Sequence, residues 1–458
     1  MKVIVCGAGQ VGFNIARYLA SENADVTVID ISPELVQRIT DSLDVSGLVG
    51  FASHPEVLER AGAADADMVV AVTYADEVNM VACQVCHSMF EVPTKIARVR
   101  HQSYLDPVWS DLFSHDNMPI DVIISPEIEV ARAISRRLSI PGAFDAIGLA
   151  DGRISLIGVH VRDDTPIINT PLRQLTGLFP DLNLSIVGIE RDGKGMVAHG
   201  DSELQPGDDA YFVCDTAHLT RALLTFGHDE RQARRVVILG GGNIGLNLAQ
   251  IMEREQPEVQ LRLVEMSKQR AELVAQTLKR SVVIHGDALD LEILGECNIG
   301  HTETVIAVTN DDEVNILASL LAKRHGCMRA VTLINSTSYG QLVGPLGIDT
   351  VVSPRGITVS TILQHVRRGR IRSVHSLSED LGEIIEAEAM ETSRLVGKPL
   401  RDAKLPEEVV VGAILREDEV IVPRGDTVIR AGDLVVIFAA SNAVKKVEKL
   451  FAVKLEFF

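Results

Sequence analysis

Cysteine is scarce: six in 458 residues, with no framework of spacings. That excludes a disulfide-stapled scaffold and fits a reducing cytosol. Long apolar runs are missing as well. The longest uncharged stretch, Ala330 to Ile348, is broken by Asn335, Ser336, Ser338, Gln341 and Pro345 and cannot span a bilayer. Positive charge is in short supply. Lys and Arg number 44 against 63 Asp and Glu, a formal net charge of −19, which argues against broad nucleic-acid binding. No Walker A, HExxH or GxSxG motif occurs. Lys2 leads straight into a first apolar run, so no secretory signal is expected.

What the chain does have is two glycine-rich turns in equivalent places of its two halves. Val3-Ile4-Val5-Cys6 runs into Gly7-Ala8-Gly9-Gln10-Val11-Gly12 and is followed by Asp30; Val236-Val237-Ile238-Leu239 runs into Gly240-Gly241-Gly242-Asn243-Ile244-Gly245 and is followed by Glu265. Each is an apolar strand, GxGxxG, an amphipathic helix, then a second strand ending in an acid. One GxGxxG is weak evidence, but two copies in full context point to two dinucleotide-type sites. Gly7 and Gly240 permit the tight turn. Gly9 and Gly242 let the main chain approach a pyrophosphate, and Gly12 and Gly245 let the helix pack on its strand. The helix then aims free N–H groups at phosphate. Asp30 and Glu265 lie 18 and 20 residues beyond the last glycine. A carboxylate there accepts from ribose hydroxyls and repels a 2′-phosphate, which favours NAD(H), ATP or ADP over NADP(H).

The duplication is longer than the turns. Asp67 to Asn79 resembles Glu303 to Asn315 at a constant shift of 236 residues, and Ser125-Pro126 pairs with Ser353-Pro354. Pro171-Leu172-Arg173 pairs with Pro399-Leu400-Arg401, and Pro206-Gly207-Asp208 with Ala431-Gly432-Asp433. This is whole-domain duplication. In each half, alternating strand and helix patterns give way to shorter strands with turn signals. The expected fold is α/β: two Rossmann-like doubly wound parallel-sheet domains, each followed by a small α+β domain. The expected boundaries are 1–123, 140–227, 232–352 and 370–455.

On the glycine motifs, Ala71-Val72-Thr73 to Met80, Ile96 to Arg100, and Ala307-Val308-Thr309 to Glu313, the chain resembles a known family. These are the cytosolic regulatory subunits of bacterial Trk potassium uptake systems, TrkA, built from tandem RCK (KTN) domains. The resemblance covers essentially the whole chain. It implies RCK-N and RCK-C domains in alternation and no catalysis. It also implies a cytoplasmic protein, peripheral on the inner membrane, that binds NAD(H) or ATP/ADP and adjusts potassium flux through an integral-membrane transporter subunit. The family's eight-domain ring implies a homotetramer. Mapped onto this chain, the first site is Gly7 to Gly12, Asp30, Thr73, Tyr74 and Arg98. The second is Gly240 to Gly245 (with Gly241, Asn243 and Ile244), Glu265, Asp287, Thr309 and Asn310. The halves differ: Phe51-Ala52-Ser53 stands where the second has Asp287-Ala288, and Arg98 has no clear match near Leu333 and Asn335. Two sites of unequal affinity or preference are expected.

Other chemistry reads as structural. Cys83-Gln-Val-Cys86 falls inside an apolar helix that begins near Asp76, so buried core thiols are expected. His54 and His285 are placed on loops near the sites. The basic run Arg367-Arg368-Gly369-Arg370-Ile371-Arg372, like Arg136-Arg137, reads first as a solvated face of a helix and linker. The alternative is contact with a membrane subunit or lipid headgroups. A NAD-dependent dehydrogenase and a free-standing nucleotide sensor are the competing functions. Against the dehydrogenase, His160, His199, His218 and Lys194 lie in no recognisable proton-transfer setting.

Overall fold

The computed structural model describes residues 1–21, 24–178, 183–336, 338–339, 343, 346–366, 371–377, 381–440 and 443–451. They form two compact units. The first holds residues 1–130 with 353–366, and the second holds the described parts of 131–352 and 367–458.

The first unit is built on a parallel sheet of β1 (Lys2–Cys6), β2 (Asp25–Asp30), β3 (Ser46–Val49), β4 (Met68–Ala71), β5 (Thr94–Arg98) and β6 (Val122–Ile124), ordered 3-2-1-4-5-6. The strands β1 and β4 are buried along nearly their whole length, as expected where helices cover both faces. The helices are α1 (Gln10–Ser21), α2 (Pro33–Ser42), α3 (Pro55–Arg60), α4 (Asp76–Phe90) and the start of α5 (Pro126–Ser139). Local signals set their ends. Ser32 accepts from Leu35 N at the start of α2, with Pro33 in the first turn.

The second unit contains the duplicate sheet: β12 (Arg235–Leu239), β13 (Gln260–Glu265), β14 (Val282–His285), β15 (Thr304–Ala307), β16 (Arg329–Leu333) and β17 (Thr350–Val352), with order 14-13-12-15-16-17. Its helices include α8 (Asn243–Glu255), α9 (Lys268–Thr277), α10 (Leu291–Glu296) and α11 (Asp312–Arg324). The strand order of both sheets is that of a doubly wound dinucleotide fold.

The small domains are antiparallel. β7 (Ala143–Leu149), β8 (Ile154–His160), β9 (Leu184–Arg191), β10 (Lys194–Val197) and β11 (Asp209–Asp215) run 10-9-11-8-7, with α6 (Leu172–Leu178) and α7 (Leu219–Thr225). Their repeats are β18 (Ile371–Ser376), β19 (Glu383–Glu388), β20 (Val409–Arg416), β21 (Glu419–Ile421) and β22 (Leu434–Ala439), run 18-19-22-20-21. The two sheets pack together through Leu156, Val187 and Tyr211 against Leu381, Val436 and Phe438. Gly188 allows the approach, since a Cβ there would lie 3.3 Å from Leu381 and 3.4 Å from Phe438. The repeated Gly-Asp turns have a physical role. Arg191 grips the buried Asp208 with two bonds of 2.7 Å, and Arg416 grips the buried Asp433 at 2.9 and 2.8 Å.

The helices that follow the two large sheets make contacts within each unit. In the first unit α12 (Pro354–Val366) lies on α1, with Val359 and Ile362 joining Val3, Val5, Ile15 and Leu19. In the second unit the end of α5 meets Gln256, whose Nε2 donates to Ser135 Oγ at 3.4 Å, and Arg137 donates to Val351 O. One ion pair was re-sourced between the halves. Asp121 and Asp349 both accept from the backbone of the neighbouring strand, at Lys95 N and Ala330 N. The cation facing Asp121 is the buried Lys95 of β5, and that facing Asp349 is Lys323 of α11. His87 occupies the position in α4 that matches Lys323.

The CxxC lies within α4 as expected; Cys83 and Cys86 are buried and unpaired. Burial outweighs the nearby Lys95 charge, pushing the Cys86 thiol up to about 12, which leaves it protonated and unreactive. Of the basic run, residues 367–370 lie outside the described residues; Arg372 is on β18 and meets Glu388 at 3.3 Å. Arg137, in the last turn of α5, meets Asp145 at 2.7 Å.

Candidate nucleotide sites

In the first unit the chain leaves β1 at Gly7, whose φ of 114° is one that only glycine adopts easily. Gly7 N donates to Ile29 O at 2.7 Å, and a Cβ would lie 3.0 Å from Val72 O. A Cβ on Gly12 would lie 1.8 Å from Gly7 O, so α1 sits directly on the turn. Gly9 differs from both: a Cβ there meets no described atom within 4 Å. The turn thus has two glycines required by the fold and one that the fold does not require. Beyond them, Gln10, Val11 and Gly12 open α1, where amide N–H groups have no intrahelical acceptor.

Asp30 ends β2 and braces this loop. Its Oδ2 accepts from Ala8 N at 2.7 Å and its Oδ1 from Ser32 N at 2.9 Å. Across the crevice, where strand order reverses between β1 and β4, Thr73 and Tyr74 follow β4. The fully buried Asn79 of α4 holds this corner. Its Oδ1 accepts from Thr73 N (2.8 Å) and Thr73 Oγ1 (2.7 Å), and its Nδ2 donates to Thr73 O (3.2 Å) and Arg98 O (2.9 Å). Asn79→Ala strands these groups and is expected to cost about 3 kcal/mol. A fall of roughly 5–10 °C in the thermal midpoint of the first unit would show it.

The second site repeats this geometry. Gly240 has φ 112°, a Cβ on Gly245 would lie 1.9 Å from Gly240 O, and Gly242 is as open as Gly9. Gly241 N donates to Glu265 Oε2 at 2.7 Å, and Ser267 N to Glu265 Oε1 at 2.8 Å. Asn243 and Ile244 open α8. Asn315 fixes Thr309 as Asn79 fixes Thr73, and donates to Leu333 O at 3.0 Å. Asn310 is exposed beside it. Asp287 is exposed after β14, where its Oδ1 accepts from Leu289 N at 2.9 Å.

The charges differ. Arg98 O and Leu333 O are matched acceptors, so the first site has a guanidinium where the second has an apolar side chain. Burial and the neighbouring Arg100 draw the Arg98 pKa below its usual value, against the pull of Glu127 and Asp76. Arg100 donates to Glu127 Oε1 at 2.9 Å and lies over the Tyr74 ring at 5.3 Å, while Tyr74 is 86% exposed. Arg98 Nε, Asp76 Oδ1, Ser125 Oγ and Glu127 Oε2 are buried with no hydrogen-bond partner among the described residues, a set that a polar ligand or water can satisfy.

Two arginines escaped the sequence reading. Arg355 of α12 donates to Gln10 at the first loop. Arg270 of α9 donates to Gly241 O at 2.7 Å and to Asn243 Oδ1 at 3.3 Å at the second. Nothing in the motif spacing marks either one. His54 precedes α3 and stacks on Phe51 at 5.1 Å. His285, expected on a loop, is the last residue of β14, with Nε2 3.1 Å from Met266 O.

This architecture is a tandem of doubly wound domains, each followed by a small antiparallel domain. The TrkA-N domain model matches residues 3–126 and 236–354, and the TrkA-C domain model matches 384–452. The chain belongs to the TrkA family of Trk system potassium uptake proteins. It is 54% identical over 458 residues to the Trk system potassium uptake protein TrkA of Azorhizobium caulinodans, covering 100% of both chains. Identity is 40% to the Halomonas elongata protein of the same name, again covering all of both chains, and 38% to that of Vibrio alginolyticus over 98% of each. These relatives are named for potassium uptake and not for a catalysed reaction. Among solved structures, the GsuK RCK domain matches with a TM-score of 0.62 at 20% identity, covering 98% of this chain and 94% of that one. A GsuK channel bound to NAD matches with a TM-score of 0.62 at 18% identity, covering 98% and 78%. At that identity the likeness establishes the fold: two RCK repeats, the architecture expected from the sequence. Among the described residues, no helix is long and apolar enough to cross a membrane.

Proposed function

We propose that this chain is the nucleotide-binding regulatory subunit of a Trk-type transporter, gating potassium flow through a separate integral-membrane subunit from the cytoplasmic face. The observation that carries the reading is the clear space at Gly9 and Gly242, each set between a helix N-terminus and a carboxylate. The fold does not need glycine at these two positions, whereas a pyrophosphate does. NAD(H), ATP or ADP fits this frame, with phosphates on the loop and ribose hydroxyls on Asp30 or Glu265. Tyr74 lies at the rim of the first site and Asn310 at that of the second, with Thr73 and Thr309 beneath. Arg98 adds a cation to the first site alone, and Asp287 adds an acceptor to the second alone, so the two sites rank ligands differently.

Gating follows from differential affinity. A nucleotide shifts the balance between two arrangements of the large domains only by as much as it prefers one, about 1.4 kcal/mol per tenfold preference. Four chains would supply the eight large domains of an RCK ring, so the assembly is a homotetramer. The test is potassium or rubidium uptake at limiting external potassium in cells lacking the chain. Wild type is expected to restore uptake, and Asp30→Ala/Glu265→Ala, at equal soluble expression, is expected to fail. If loss of the chain leaves uptake unchanged, the assignment is wrong.

A further inference from the structure

The fourth residue of each glycine turn carries an amide side chain, and in each half an arginine from another element holds it. Gln10 Oε1 accepts from Arg355 of α12. Asn243, its match, accepts through Oδ1 from Arg270 of α9 at 3.3 Å, while Arg270 Nε donates to Gly241 O at 2.7 Å. The two arginines do not correspond in the repeat. Position 35, which matches Arg270, is leucine, and position 127, which matches Arg355, is glutamate. Leu35 packs on the apolar core of the first unit, and Glu127 accepts from Arg100 at 2.9 Å. A guanidinium thus reaches the same position of the turn by two unrelated routes.

Bracing an amide does not account for an arginine in both places. Arg270 is half-buried, and among the described residues its hydrogen bonds go to uncharged oxygens and it makes no ion pair. Its two acceptors flank Gly242, where a Cβ meets no described atom within 4 Å. Glu265, on the same turn, is already engaged by Gly241 N and Ser267 N. In a chain of net charge −19, an unneutralised guanidinium therefore stands beside the positive end of α8. Two positive groups so placed favour an anion between them. An amide oxygen carries only part of a charge, whereas a phosphate carries at least one and accepts two parallel N–H bonds from arginine. We propose that Arg270 and Arg355 are phosphate-binding residues of the two sites, held by Asn243 and Gln10 until a nucleotide's phosphate replaces the amide oxygen. The proposal rests on the nucleotide-binding reading above. It gives both sites a ligand class: nucleotides bound through phosphate charge, with affinity rising from mono- to di- to triphosphate. Arg355 also gives the first site a distant reach. It lies in the first turn of α12, within the segment that joins β17 to β18, so the first site holds its ligand partly through the connection between the second large domain and its small one.

The test is calorimetric titration of AMP, ADP, ATP and NADH into the full-length wild type, Arg270→Gln and Arg355→Gln, at low and high salt, with a thermal melt of each free protein. Each Gln variant is expected to bind ATP and ADP at least tenfold more weakly at one of its two sites and as wild type at the other. The loss should shrink from ATP to AMP and at high salt, and the free protein should melt as wild type does. Arg270→Lys and Arg355→Lys, which keep the charge without the fork, should recover part of the loss. If both Gln variants bind ATP and ADP like wild type, the arginines only brace the turns and the proposal falls while the nucleotide-binding reading stands. A loss equal for AMP and ATP, accompanied by a lower melting midpoint, would overturn it in the same way. If wild type binds none of the four nucleotides, both readings fall.

Discussion

Gly9→Ala is expected to abolish nucleotide binding at the first site while leaving the free protein as stable as before. The added methyl meets no described atom within 4 Å, and the backbone φ there is not one reserved for glycine. Removing a glycine from such a position lowers the entropy of the unfolded chain, so the free protein should gain about 0.5 kcal/mol. The methyl does meet a phosphate drawn onto the amides at the start of α1. A loss of at least ~100-fold in affinity, about 2.7 kcal/mol, follows from pushing the ligand off that helix end. Gly242→Ala should act in the same way on the second site. Calorimetric titration of NADH and of ATP into each single variant and the double variant counts the sites and assigns each ligand. Wild-type affinity in Gly9→Ala would mean that the loop does not cradle phosphate.

Gly12→Ala, three residues away, is expected to have the opposite effect. Its Cβ would lie 1.8 Å from Gly7 O and 2.9 Å from Gly7 C, and backbone atoms cannot rotate aside. Relief requires lifting α1 from the turn, which separates Ile15 and Leu19 from Val3 and Val5. The cost should exceed ~4 kcal/mol, enough to remove most soluble protein. Gly245→Ala faces the same overlap at 1.9 Å from Gly240 O. Soluble yield and near-ultraviolet circular dichroism report it. A soluble Gly12→Ala with an unchanged melting profile would show that the helix tolerates a looser seat than the packing implies.

These contrasting glycines also show how much of the molecule could be read before the structure. The turns, both acids, Thr73 and Thr309 were legible because strand, turn and helix are local, and their spacing is set by the few residues between them. The fourfold bonding of Asn79 and Asn315 was present in the repeat only as two matching letters. Its meaning depends on Arg98 O and Leu333 O, which belong to another strand. Arg270 was missed because position 35, its counterpart in the first half, is leucine, so the repeat gave no cue. Arg355 could not be found by spacing at all, since it reaches Gln10 from 345 residues away. The substitution of Lys95 for Lys323 as the partner of the edge aspartate was hidden for a related reason. Two changes, each unremarkable alone, preserve one ion pair.

The packing of α12 on α1 bears on the ancestry of the chain. Val359 and Ile362 complete a core begun by residues 3 to 28, and no segment of the first half supplies those two side chains. An ancestor encoding one half, with the same departing helix, could have closed that core only by borrowing the helix from a sister molecule. Duplication and fusion then turned a partnership between two gene products into a property of one. Once partner and self were encoded together, each half could drift separately, and the halves now differ at Arg98 and Trp109 on one side and Asp287 and Arg270 on the other, with the borrowed helix still obliging them to be inherited as a pair.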